Sequence, residues 1–224
     1  SGATVNRYLA ALSHVFSKAV EWELITESPT SKIKRKKETP GRTRFLSDDE
    51  RHRLLDACKS SHNSSLHLIV VIAISTGARY SEIMNLTWKD VMFERNRLIL
   101  KDTKNSETRS APLVGSAFDL MKAHRKIRRI DSELVFPRKG CHNDKHIDIR
   151  TSWENAVNVA KIDDFKFHDL RHTAASYLAM NGATLAELAE ILGHKTLAMV
   201  KRYAHLTDHH VSGVVERMNK QIFK

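Results

Sequence analysis

Three short stretches of the chain hold side chains whose types and spacing suit chemistry at a phosphodiester. They are Thr76-Gly77-Ala78-Arg79-Tyr80-Ser81-Glu82, His168-Asp169-Leu170-Arg171-His172, and Leu192-Gly193-His194 followed by Tyr203. Exchanging a phosphodiester without a metal takes a nucleophile at phosphorus, cations on the two non-bridging oxygens, and an acid for the leaving oxygen. Arginine suits the second task, because its planar fork donates two parallel hydrogen bonds and never loses its charge. Arg79 and Glu82 stand three apart, so a helix puts them on one face. Arg79 also falls near a helix N-terminus, which favours anions. A routine surface ion pair accounts for the same spacing. His168 and Arg171 share a helical face, although a His-x-x-Arg pair is common by chance. Gly193 ends a helix and is expected to leave His194 exposed in the turn. Thr196 can cap the next helix, which carries Tyr203 near its far end. A tyrosine there is ordinarily a half-buried packing residue.

The elements that must position these groups can be read from periodicity and caps. An apolar stripe of Val5, Tyr8, Leu9, Leu12, Phe16, Ala19 and Val20 predicts a helix from Thr4 to about Leu24, with Ser28-Pro29 beyond it as a stop. Ser47 and Glu50 form a capping box that starts a new domain. An apolar helix is expected from about Ser65 to Thr76, closed by Gly77, and a short one from Arg79 to Leu86. Arg97 to Leu100 and Thr108 to Leu113 read as a hairpin around Thr103-Lys104-Asn105-Ser106, with Val91 to Phe93 as a third strand. Further helices are expected over 117–129, 151–161, 168–180, 185–192, 197–205 and 209–222. Thr184 and Glu187 make a second capping box. The fold class is therefore mainly α with a small three-stranded antiparallel β-sheet. The domains are expected to be 1–40, a helix and basic linker, and 41–224, the part that carries the three motifs.

Lys and Arg outnumber Asp and Glu by 37 to 26, giving a formal charge of +11, which favours a polyanionic partner, nucleic acid or an acidic membrane surface. The linker concentrates this charge in Lys32, Lys34, Arg35, Lys36, Lys37, Arg42 and Arg44. A solvated linker explains the run as it stands; beside a DNA-handling domain the same charges would follow the phosphate backbone. Cys58 and Cys141 can build neither a disulfide framework nor a C-x-x-C metal site, and fit a reducing cytoplasm. The longest apolar run, Leu68 to Ile74, is far too short to cross a bilayer, so no membrane role is expected. No leader pattern is visible, and Ser1-Gly2-Ala3 reads as an added remnant with the natural protein starting earlier.

Each motif alone is weak, but in this order they resemble the tyrosine recombinase family, the phage integrases. The likeness runs from about Phe45 to Leu206. It covers Thr-Gly-x-Arg-x-x-Glu, His-x-Leu-Arg, Leu-Gly-His and the terminal Tyr. It also includes Asp102-Thr103-Lys104-Asn105, Trp88-x-Asp90-Val91 and Ala111-Pro112-Leu113. The resemblance implies a site-specific enzyme that breaks and rejoins double-stranded DNA. In it Tyr203 would be the nucleophile of a 3′-phosphotyrosyl intermediate, with Arg79, Arg171 and His194 clamping the transition state. Lys104 would be the general acid, and His168 would hydrogen-bond the phosphate or take the tyrosine proton. Glu82 would be a supporting acid and His172 structural support. It implies no cofactor, no metal and no ATP, and no G-x-x-x-x-G-K-[ST] loop is present. It further implies a core-binding-domain remnant at 1–40 and a homotetramer on DNA assembled through the tail 209–222, monomeric without DNA. Val200 stands where the family often has Thr, which affects local packing. Other readings are a helix-turn-helix regulator over 184–203, which leaves Arg79, Lys104 and His168 unexplained, and a tyrosine-type topoisomerase. A zinc site at His142 and His146 lacks a third ligand.

Overall fold

The computed structural model describes residues 1–38, 43–102, 107–138, 140, 145–206 and 208–223. Lys104, Arg42, and His142 of the zinc pair weighed above lie outside them. Chain contacts divide into two units, Ser1–Arg42 and Thr43–Lys224.

In the first unit, α1 (Gly2–Glu21) starts where Ser1 accepts a hydrogen bond from Thr4 N. It ends three residues earlier than expected. The chain leaves the helix through Trp22 and a left-handed Glu23, well before Ser28-Pro29. Its apolar stripe is partly uncovered, with Val5, Tyr8 and Leu12 exposed. The linker folds back on the helix through one buried side chain. Asn6 donates to Lys36 O and to Glu38 Oε1, and its Oδ1 accepts from Lys36 N, each at 2.8 Å.

The second unit is built around α3 (Leu66–Thr76), whose residues are apolar almost all round and mostly buried. Such a helix can only sit inside a core. It packs against α2 (Asp48–Lys59), α5 (Gly115–Lys126) and α7 (Asp169–Met180), and a short α4 (Tyr80–Met84) follows it. The Ser47/Glu50 capping box opens α2 as expected. Strands β1 (Val91–Met92), β2 (Arg97–Asp102) and β3 (Glu107–Pro112) form an antiparallel sheet in the order β1-β2-β3, with Leu98 opposite Ala111 and Leu100 opposite Arg109. The main core thus combines the helices with the inner face of this sheet, where Leu98, Leu100, Ala111 and Leu113 are buried. Mainly helical architecture with a three-stranded antiparallel sheet is what the sequence indicated.

The C-terminal part adds α6 (Arg150–Val159), α8 (Leu185–Leu192) and α9 (Asp208–Ile222). The Thr184/Glu187 capping box is present, and Gly193 closes α8 in the left-handed region at φ 64°. A further expectation fails. Residues 197–205 are not an α-helix but two 3-10 segments, Leu197–Met199 and Lys201–Leu206, and Thr196 makes no side-chain cap. Val200 and Tyr203, three apart, are both buried, a spacing that three residues per turn brings onto one side. They join Ala175, Ala179, Leu188, Ala189 and Leu192 in a second, smaller apolar cluster.

Candidate active site

The site is built on two turns. In the first, α3 ends at Gly77 with φ 61°, a conformation glycine adopts without a Cβ penalty. A Cβ there would also run into the side chain of Leu192. Thr76 steadies the turn by donating to Ile72 O at 2.7 Å and accepting from Ala78 N at 3.2 Å. The chain then enters α4 at Arg79, its N-cap. Glu82 accepts from Arg79 twice, from the backbone N and from Nη1, each at 2.8 Å. The second turn is Leu192-Gly193-His194, at the end of α8.

Arg171 ties the two turns together. It rises from α7 and is only 4% exposed. Its Nη1 donates to Gly77 O at 2.7 Å and its Nη2 to Leu192 O at 2.5 Å. Burial lowers its pKa, and the charges of Arg79 and Arg109 lower it further, to about 10. At neutral pH it is still fully charged.

Arg109 was not among the expected site residues. It reaches in from β3, donates from Nη2 to Glu82 Oε2 at 2.9 Å and from Nη1 to Ile191 O. Its stem lies flat against Gly193, where an added Cβ would meet Arg109 Cδ at 2.5 Å. The Glu82 carboxylate, almost wholly buried, is thus shared by Arg79 and Arg109. Burial alone would raise its pKa, but the two guanidiniums outweigh this and hold it below the usual value. A sequence signal for Arg109 existed. In β3 it falls on the same face as Ala111 and Leu113, both buried, and a charge on an inward face needs a partner.

His194 is half-buried rather than exposed. Burial and the field of Arg171, Arg79, Arg109 and Arg202 push its pKa down to about 4, so its ring is neutral. Its Nδ1 is enclosed and finds no hydrogen-bond partner among the described residues. A buried polar atom left this way is costly unless something else fills the role. His194, Arg79, Glu82, Thr108, Arg109 and Lys195 border a cleft of about 180 Å³.

Tyr203 is 2% exposed, and burial raises its pKa against the pull of Arg202 and Arg171. Its hydroxyl lies 2.5 Å from His172 Nδ1. The ring next to the phenol is therefore His172, expected to be structural support, while His168 packs edge-on against His172 with centroids 5.4 Å apart. Burial and neighbouring charge lower the pKa of both histidines, that of His172 to about 4.

Of the expected residues, Arg79, Glu82, His168, Arg171, His194 and Tyr203 gather around these two turns. Lys104 belongs to the hairpin tip outside the described residues. Lys32, Lys34, Arg35, Lys36 and Lys37 are exposed in the first unit. Arg44 is engaged otherwise: its guanidinium pairs with Glu50 and lies over the Phe165 ring. Among the described residues no group of three metal-binding side chains occurs. His146 Nδ1 lies 2.8 Å from Ile147 O. No helix among them is long and apolar enough to cross a membrane.

Separate segments of this helical domain thus bring guanidiniums, neutral imidazoles and a buried phenol together, a set of groups that can act on a phosphate. Comparison with known proteins gives it a family. The phage integrase family matches residues 44–210, and the chain belongs to it. The integrase of Haemophilus phage HP1 is 36% identical over 220 residues, 96% of this chain and 59% of the relative. That of Salmonella phage P22 is 32% identical over 202 residues, 86% of this chain and 51% of the relative. The chain thus spans between half and three-fifths of the length of these relatives. The catalytic domain of bacteriophage HP1 integrase superposes with a TM-score of 0.61 at 36% identity, over 77% of this chain and 93% of that one. The Tn1549 transposon integrase in complex with a circular intermediate DNA shares the fold, with a TM-score of 0.77 at 20% identity over 96% of this chain and 79% of that one.

Proposed function

We propose that this chain is the strand-breaking and rejoining part of a site-specific DNA recombinase that works through a phosphotyrosine at Tyr203. One observation carries the reading: a buried phenol lies in the field of Arg171 and Arg202, and Arg79 and Arg109 are gathered on Glu82 close to Arg171. Guanidiniums gathered in this way suit the non-bridging oxygens of a phosphate. Tyr203 Oη attacks phosphorus, makes a 3′-phosphotyrosyl bond and frees a 5′-hydroxyl. Arg79 and Arg171 hold the non-bridging oxygens, with the Nδ1 of His194, which has no partner among the described residues, as a further hydrogen-bonding group. His168 borders the phosphate. Glu82 orients Arg79, and Lys104 protonates the leaving oxygen. The ester conserves the energy of the broken bond, so no nucleotide and no metal is needed.

The integrase relatives, one of them solved with DNA, support duplex DNA as the partner. Lys32, Lys34, Arg35, Lys36, Lys37 and Arg42 would follow its backbone, and the enzyme would work in the cytoplasm, where that DNA lies. The partly uncovered stripe of α1 supports reading residues 1–40 as the end of a core-binding domain with its linker. Val215, Met218 and Ile222, exposed on one face of α9, support docking of the tail onto a neighbouring subunit in a tetramer on DNA. Replacing these three by Ser should leave single-site binding intact and abolish pairing of two sites in a gel-shift assay.

The central test is covalent capture. The protein is incubated with a pool of nicked random-sequence duplexes, denatured, and the attached DNA is recovered and sequenced. Wild type should yield an adduct that maps to Tyr203, and Tyr203→Phe should yield none. An adduct at another residue, or none from wild type, removes the reading.

A further inference from the structure

The nucleophile needs somewhere to put its proton. We infer that His172, not His168, is the base that takes the phenolic proton of Tyr203 as its oxygen attacks phosphorus; this rests on the reading of Tyr203 as nucleophile. His172 Nδ1 is 2.5 Å from Tyr203 Oη. The phenol ring is packed into the cluster of α7 and α8, so the oxygen cannot turn towards another base without breaking that packing. His168 stands one ring further off, edge-on to His172.

The groups that face His172 are His168, Asp169, Arg202, Arg171 and Tyr203. Burial and the cations keep its imidazole neutral at pH 7, with one nitrogen lone pair to offer. With Nδ1 as that acceptor, Tyr203 Oη–H is the donor. In the forward step the Oη–P bond forms as the bond from phosphorus to the 5′-oxygen breaks. The phenolic proton passes to Nδ1, and the leaving oxygen takes its proton from the acid assigned to Lys104. The arriving phosphodiester anion favours the imidazolium that results, offsetting part of the repulsion from Arg171 and Arg202. In rejoining, the 5′-hydroxyl attacks phosphorus and gives its proton back to Lys104, while the Oη–P bond breaks and Nδ1 returns its proton to Oη.

Two measurements test this. In the DNA-free protein, nitrogen NMR of His172 should show Nδ1 unprotonated, with a shift that moves in Tyr203→Phe. A hydrogen on Nδ1 would overturn the inference, since His172 would then be donating to the phenol. In single-turnover reactions with a duplex captured on Tyr203, His172→Ala should form adduct about 100-fold more slowly, with DNA affinity unchanged and partial rescue by added imidazole. Should that variant not fold, His172→Asn keeps an acceptor near the Nδ1 position but cannot take up the proton, and should be similarly slow. Adduct formation at the wild-type rate in either variant overturns the inference alone. A wild-type protein that captures no DNA removes the function reading first, and the inference with it.

Discussion

The basic linker and the paired turns both concentrate positive charge, yet they hold it under opposite conditions. Lys32 keeps 88% of its side chain in solvent, where hydration stabilises the ammonium and salt screens it. Arg171 is buried and surrenders two hydrogen bonds to backbone carbonyls, with Arg79 and Arg109 near enough to depress its pKa. Exposed cations can be exchanged or moved with little effect on the fold. A buried guanidinium is tolerated only because its partners are fixed, and the field it projects is then fixed as well. The linker is suited to grip a polyanion at any register. The turns are suited to act on one phosphate.

Breaking that contrast at its strongest point means replacing Arg171. Arg171→Lys retains charge but cannot reach both Gly77 O and Leu192 O with a planar fork. It should slow covalent adduct formation by two to three orders of magnitude, about 3–4 kcal/mol, while duplex affinity changes little. Next comes Glu82→Gln, which leaves Arg109 facing a neutral partner in a nearly buried place. Urea unfolding should show a loss of about 3 kcal/mol. Gly193→Ala forces a left-handed residue and presses on Arg109, and should cost about 1–2 kcal/mol from the backbone conformation alone. On the solvated side, replacing Lys32, Lys34, Arg35, Lys36 and Lys37 by Ala should leave unfolding unchanged. It should reduce the salt dependence of DNA affinity by roughly 0.9 in log–log slope for each phosphate that is no longer neutralised. An unchanged slope would mean the linker does not touch the backbone.

The smallest effect lies at Arg44, a linker cation that has found a partner. Its hydrogen bonds hold the Glu50 carboxyl at about 2, against the opposing effect of burial. Because that pKa is lower folded than unfolded, the pair stabilises the domain above about pH 4.5, and the gain is lost as pH falls toward 2. Melting temperatures of Glu50→Gln should lack this part of the acid decline.

Much of the fold was legible because it depends on local rules. Ser47 with Glu50, Thr184 with Glu187, and the glycines at 77 and 193 mark helix ends through backbone chemistry that neighbours in sequence determine. Two short runs, Arg97 to Leu100 and Thr108 to Leu113, on either side of a polar tip announced the sheet. The two 3-10 segments around Tyr203 were not legible, since only the packed cluster reveals that Val200 and Tyr203 must face the same way. The stripe on α1 was read correctly as amphipathic, but its exposure depends on what covers it. Arg79, Arg171, His194 and Tyr203 could be picked out by type and order. Arg109 carried only the weaker signal of a charge on an inward strand face, and its reach to Glu82 and Gly193 across the domain shows only in the fold. His172 was visible, but its nearness to the Tyr203 hydroxyl was not. Its place next to Arg171 says nothing about a phenol that arrives from a later segment.

The carbonyl of Leu192 that anchors Arg171, the enclosed His194 and the phenol itself all follow the other parts of the site out of the ribosome. Until they have folded back onto the turn at Gly77, the growing polypeptide has arginines but neither the second anchor of Arg171 nor the phenol of Tyr203. With Tyr203 as the proposed nucleophile, the site gains its reactive group only after every arginine around it is already in place.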